Sequence, residues 1–177
     1  MNTHVTTEKK QFTLVHEFDA PKALVFNAFA NEDALNEWWG PVETNNSVIK
    51  LDFRVGGIFH FKMEHEGKVN YGRFLFRKIQ PYDLLEFTNA FADANANIIS
   101  APFDIQLPLE ILYTLVFTER NGKTTITLTG QPVNANNDEQ AAFLSIGESM
   151  QKGFGATFNQ LFLHLEKIGK GNKNASQ

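Results

Sequence analysis

Apolar positions follow two rhythms along this 177-residue chain. Toward the C-terminus, Phe143, Gly147, Met150, Phe154, Phe158, Leu161, Leu165 and Ile168 recur at steps of three or four. One such stripe on a helical period predicts a long amphipathic helix from Asn137 to Ile168. Unbroken, it would run roughly 45 Å. Asn137 or Asp138 is placed to cap its start, and Gly169 follows its last apolar residue. Gly153 and Gly155 interrupt the stripe. Each costs about 1 kcal/mol against alanine, so close approach of a sheet or a ligand is the expected offset.

Upstream the period shortens to two. Phe12 to Phe18 reads as a first strand with Phe12, Leu14, His16 and Phe18 on one side. Asp19 is positioned to cap a following helix, Pro21 suits its first turn, and Asn31 starts a second short helix that Gly40-Pro41 ends. Strands are then expected over Val48–Phe53, Ile58–His65, Val69–Ile79, Leu84–Ala92, Leu109–Glu119 and Lys123–Gln131. The turns between them carry Gly56-Gly57, Glu66-Gly67, Pro81-Tyr82-Asp83 and Asn121-Gly122. Lys123–Gln131 is threonine-rich on both faces, which suits an edge or a solvated surface. The architecture implied is α+β: a curved antiparallel sheet of six or seven strands wrapped around the C-terminal helix. Residues 12–168 form one domain, between a flexible N-terminus (1–11) and a disordered tail (169–177). Residues 93–108 are a long, apolar connection, readable as a lid over a cavity mouth or as packing against the sheet edge.

Composition sharpens this picture in one respect. Seventeen phenylalanines suggest a wide interior filled or lined by rings. A net charge of −4 argues against nucleic acid as a main partner. No cysteine is present, so disulfides and thiolate metal sites are excluded. Without a signal-peptide core or a run of ~18 apolar residues, no membrane insertion is expected, and a soluble cytoplasmic protein is the reading.

Alternation places Phe59, Phe61, Met63, Phe74, Phe87 and Phe91 on the concave face, as core or as pocket wall. Asn89 shares the parity of Phe87 and Phe91, so its amide needs a partner from protein, water or ligand. Tyr71 and Tyr113 each offer an apolar body with a polar tip, and Met63 and Met150 would make a wall adaptable. Trp38 and Trp39 point about 100° apart on a helix, so one anchors the core and the other seals it or lines a cavity entrance. His60 and His65, five apart on a strand, face opposite sides, a poor spacing for a shared metal. No nucleophile triad or phosphate loop is marked, and Glu64, Glu66, Glu110 and Arg73 read as surface charges. Neither metal nor cofactor is expected.

Several short motifs in order carry a resemblance. Asp19-Ala20-Pro21, Phe26, Trp38-Trp39-Gly40-Pro41 and Asp52-Phe53-Arg54-Val55-Gly56-Gly57 open the string. Gly72, Pro81, Phe87-Thr88, Phe117, Gly122-Lys123-Thr124 and Gly153-Phe154 continue it. The chain is similar to the SRPBCC (START-like) superfamily, in the branch of homologues of the activator of the ninety-kilodalton heat-shock chaperone ATPase. Where that family usually has Gly-Trp, this chain has Gly153-Phe154. The resemblance implies a helix-grip fold with a cavity between sheet and helix, of which Phe154 would be part. It also implies a range of activities, from lipid and polyketide carriers to cyclases and chaperone activators.

Three functions follow as rivals. The leading one is non-catalytic binding of a small hydrophobic or aromatic molecule. A chaperone-associated interaction module, with a heat-shock chaperone as partner, would present an exposed patch instead of a cavity. A polyketide cyclase or hydrolase would need a polar dyad deep inside, for which Asn89, Tyr71 and Tyr113 are the inward candidates. A homodimer is compatible with each.

Overall fold

The computed structural model describes residues 11–175, with side-chain environments through residue 169. The expected frayed segment 1–10 lies outside the described residues. The chain opens with β1 (Phe12–Phe18), then two short helices, α1 (Lys22–Asn27) and α2 (Glu32–Trp38). Six further strands follow: β2 (Asn45–Leu51), β3 (Ile58–His65), β4 (Lys68–Gln80), β5 (Leu84–Ala92), β6 (Ile111–Arg120) and β7 (Lys123–Pro132). It closes with α3 (Asn137–Ser145) and α4 (Gly147–Ala175).

All seven strands form one antiparallel sheet in the order β1-β7-β6-β5-β4-β3-β2. Every neighbouring pair is consecutive in the chain except the one that returns the last strand beside the first, Phe12 opposite Gly130 and Phe18 opposite Thr124. Of the two readings of residues 123–131, an edge or a solvated surface, that closure excludes the edge: β7 is internal, and β1 and β2 are the edges. Its threonines divide by parity. Thr124 is buried and donates to the Ala20 carbonyl at 2.7 Å, while Thr125, Thr127 and Thr129 lie on the opposite, outer face.

The C-terminal helix is not one rod. Ile146, at φ −98° and ψ 12°, leaves helical geometry and separates α3 from α4. The cap is Asn136, one residue before those expected, in a reciprocal box: its side chain accepts from Glu139 N and Glu139 returns to Asn136 N. The apolar stripe crosses the break in phase, so its period alone does not reveal it. Gly169 does not stop the helix either, because α4 runs on to Ala175. Residues 169–175 of the expected tail are therefore helical, and residues 176–177 lie outside the described residues.

Asp19 does not cap α1. Pro21 holds that position without a side-chain bond, and the first-turn amide of Lys22 donates to Glu119 at 2.7 Å. Asn31 caps α2 as its type predicts, accepting from Ala34 N at 2.9 Å. The core lies between the concave face and α4. Phe18, Trp38, Ile126, Phe158, Leu161 and Leu115 are almost wholly removed from solvent there. No described helix is long and apolar enough to cross a membrane.

Candidate functional site

The core is continuous at one end of the sheet and opens at the other. There the concave face of β3 to β6, the first turns of α4, the turn after α2 and the 93–108 connection enclose a cavity of about 400 Å³. Two rings form its floor, and each lies over a glycine on the neighbouring strand. Phe61 pairs with Gly72, and a Cβ there would collide with the Phe61 ring. Tyr113 pairs with Gly130, where a Cβ would stand 2.6 Å from Tyr113 Cε1. The absent side chains let both rings lie down across the sheet instead of standing up into the interior.

Trp39 closes one side, its ring edge-on to Phe61 and Phe74 at centroid distances of 5.6 and 4.9 Å. Its indole Nε1 is buried without a hydrogen-bond partner among the described residues. The turn that carries it is tied to α4, because Thr157 Oγ1 and Gln160 Nε2 both donate to the Gly40 carbonyl, at 2.9 and 3.3 Å. Gly40 sits at φ +110°, which favours glycine. On α4, Met150, Gly153, Phe154 and Thr157 face the cavity. No atom outside the helix lies within 4 Å of a Cβ built on Gly153 or Gly155. The expected close approach of the sheet is therefore absent, and Gly153 instead borders open space.

The 93–108 connection forms one side of the cavity. Its first part is pinned: Asp93 accepts from the amides of Asn95 and Asn97, both at 2.9 Å. Bonds from Asn97 and Asn95 hold the Asp93 carboxyl below its ordinary range. Arg73 donates to the Ala96 carbonyl at 3.0 Å and His60 Nε2 to the Asp93 carbonyl at 3.0 Å, so Arg73 braces the loop. Beyond it, Ala101, Phe103, Leu107, Pro108 and Leu109 line the cavity. Phe103 is 58% exposed yet packs edge-on to Phe91 at 5.7 Å.

Of the residues expected on alternation, Trp39, Phe61, Met63, Asn89, Phe91 and Tyr113 line the cavity, as do Met150 and Phe154 from the helix. Trp38 does not: it is fully buried and its Nε1 donates to the Ala28 carbonyl at 3.0 Å. Phe59, Phe74 and Phe87 are core, and Phe74 stacks on Phe87 at 3.9 Å. Tyr71 has the opposite parity to cavity-lining Gly72 and lies beside the His60 ring on the other face. The glycines, Thr157 and Glu43 escaped the reading by alternation; a glycine directly opposite an aromatic residue is the one sequence signal that marks Gly72 and Gly130.

Polar groups in the cavity are few. Tyr113 is 3% exposed, and burial pushes its pKa well above that of a free phenol. Asn89 Nδ2 donates to the Arg73 carbonyl at 3.2 Å, which leaves Oδ1 to accept. Glu43 sits at the rim. The other side chains with shifted acidity lie elsewhere. Glu37 is lowered by its 2.6 Å bond with His164, and His16 is lowered by burial against Phe18 and Phe158. Among the described residues no three metal-ligating side chains come together.

A sheet gripping a helix around such a cavity defines a helix-grip protein of the SRPBCC superfamily. The chain belongs to the family described as Activator of Hsp90 ATPase homolog 1-like protein, whose model matches residues 19–166. No curated protein matches it significantly. Its fold is similar to the solution structure of an Arthrobacter aurescens protein, with 25% identity, covering 89% of this chain and 86% of that one at a TM-score of 0.73. A Staphylococcus epidermidis protein is similar at 23% identity, covering 91% and 92%, with a TM-score of 0.73. A Mycobacterium smegmatis crystal structure is similar at 24%, covering 86% and 88%, with a TM-score of 0.69.

Proposed function

We propose that this chain binds a small hydrophobic, ring-bearing molecule between the sheet and α4 and performs no chemistry on it. The observation that supports this most is the apolar cavity of about 400 Å³, within the ~300–1,000 Å³ usual for small-molecule sites. Its polar groups suit positioning, not catalysis. Among the described residues Glu43 and Tyr113 are its only ionisable lining side chains. Asn89 Oδ1 and the Tyr113 hydroxyl can fix the orientation of one polar substituent.

Titration with N-phenylnaphthylamine, an uncharged dye that brightens in apolar surroundings, tests the reading. Saturable uptake at micromolar dye is expected, as a few hundred Å² of buried apolar surface would give at about 25 cal/mol per Å² after association costs. Met150→Trp, which fills the cavity from α4, should abolish uptake while the protein stays folded. Absence of uptake by the parent chain would overturn the proposal.

A second reading, association with a heat-shock chaperone, draws on the description of the family. Addition of this chain to the chaperone should then change its rate of ATP turnover, and an unchanged rate would remove this reading.

A further inference from the structure

Resting on that ligand-binding reading, we infer that the cavity selects uncharged occupants and turns away anionic ones, with Glu43 at the rim as the residue that discriminates. Among the described residues the lining contains no lysine, arginine or histidine. On the strands that form the floor, Lys62 and Arg73 fall on the opposite parity, while Lys68, at the far end of β4, shares the inward parity but is exposed and outside the lining. Lys62 alternates with Phe61 and Met63 and pairs with Glu64, while Arg73 follows Gly72 and is bonded to Ala96. Lys152 on α4 is exposed and outside the lining.

A carboxylate carried into this space would lose water and meet no countercharge, which is far costlier than burying a neutral group. A carboxylate left at the mouth would keep its water but sit among the exposed rim residues Val42, Glu43, Phe103 and Leu109, where the one charge among the described residues is negative. Both placements of an anionic head are therefore disfavoured. A hydroxyl, ketone or amide is accommodated inside, where the Tyr113 hydroxyl can donate or accept and Asn89 Oδ1 can accept. The ligand class is an apolar body with one or two neutral polar groups, not a fatty acid or another organic anion.

Displacement of bound N-phenylnaphthylamine by decanol and by decanoate at pH 8 separates the possibilities, with the ratio of their half-displacing concentrations as the readout. Decanoate should require the higher concentration. The ratio should shrink by about threefold in Glu43→Lys and by a smaller factor in Glu43→Gln, the change fading as salt is raised. Equal displacement by the two compounds in the parent chain would overturn the inference, and a ratio unmoved by both substitutions would remove Glu43 as its cause. Failure of the dye to bind at all would overturn the ligand-binding reading itself.

Discussion

The Phe61 ring lies directly across the backbone of its cross-strand partner Gly72, filling the space a Cβ would take. Tyr113 lies over Gly130 in the same way on the other side of the cavity. These two pairs lower the floor and so create the cavity. Gly72→Ala should drive the Phe61 ring off the sheet, against Trp39 and Phe74 or into the cavity. A stability loss of about 1–3 kcal/mol is expected, read as a lower denaturant midpoint with unchanged slope, together with weaker dye uptake. An unchanged midpoint would show that the ring is not held down.

The helix glycines should behave in the opposite way. A methyl group at Gly153 or Gly155 meets no atom outside α4, and neither residue has a positive φ. Gly153→Ala and Gly155→Ala should each stabilise by about 0.5–1 kcal/mol, measured by chemical denaturation. A loss of stability would reveal a contact that the open space denies.

His16 gives a pH signature. Burial favours its neutral form, and its Nδ1 has no partner among the described residues. Its folded-state pKa therefore lies below the ordinary value of 6.5. Stability from this group is complete above that value. It falls as the pH drops below 6.5 and the unfolded chain takes up a proton that the folded one resists. Glu37 and Asp93, also lowered, act further down, in the carboxylate range. His16→Phe should flatten the melting temperature between pH 7 and 5, and a slope equal to that of the parent would contradict the assignment.

The Asn136–Glu139 box fixes where α3 begins. Asn136→Ala should cost about 1 kcal/mol, seen as a lower thermal midpoint, whereas Asn137→Ala should cost far less. Equal losses would place the cap elsewhere.

Much of this fold was legible because alternation and helical period each leave a direct trace. The inward parity of Phe59, Phe61, Phe87 and Asn89 is correct, as is the stripe from Phe143 to Leu165. What parity cannot separate is wall from core: Phe61 and Phe74 face the same side, and only the position of α4 and Trp39 decides which meets open space. The internal place of β7 was hidden for a similar reason. It depends on pairing with β1, more than a hundred residues away, and not on anything in residues 123–131. The break at Ile146 was hidden because the stripe resumes in phase. Residues 93–108 could be read as a lid or as edge packing because apolar content fits both; Phe103 and Leu107 of this connection are among the residues that line the cavity.

Methyl-resolved nuclear magnetic resonance of the chain saturated with N-phenylnaphthylamine tests most directly whether the space between sheet and α4 is a binding site. The account predicts shifts concentrated on Met63, Leu107, Leu109, Ile111 and Met150, which line the cavity. Shifts absent from these methyls, or centred on the exposed Val15 and Val116 of β1 and β6, would contradict it.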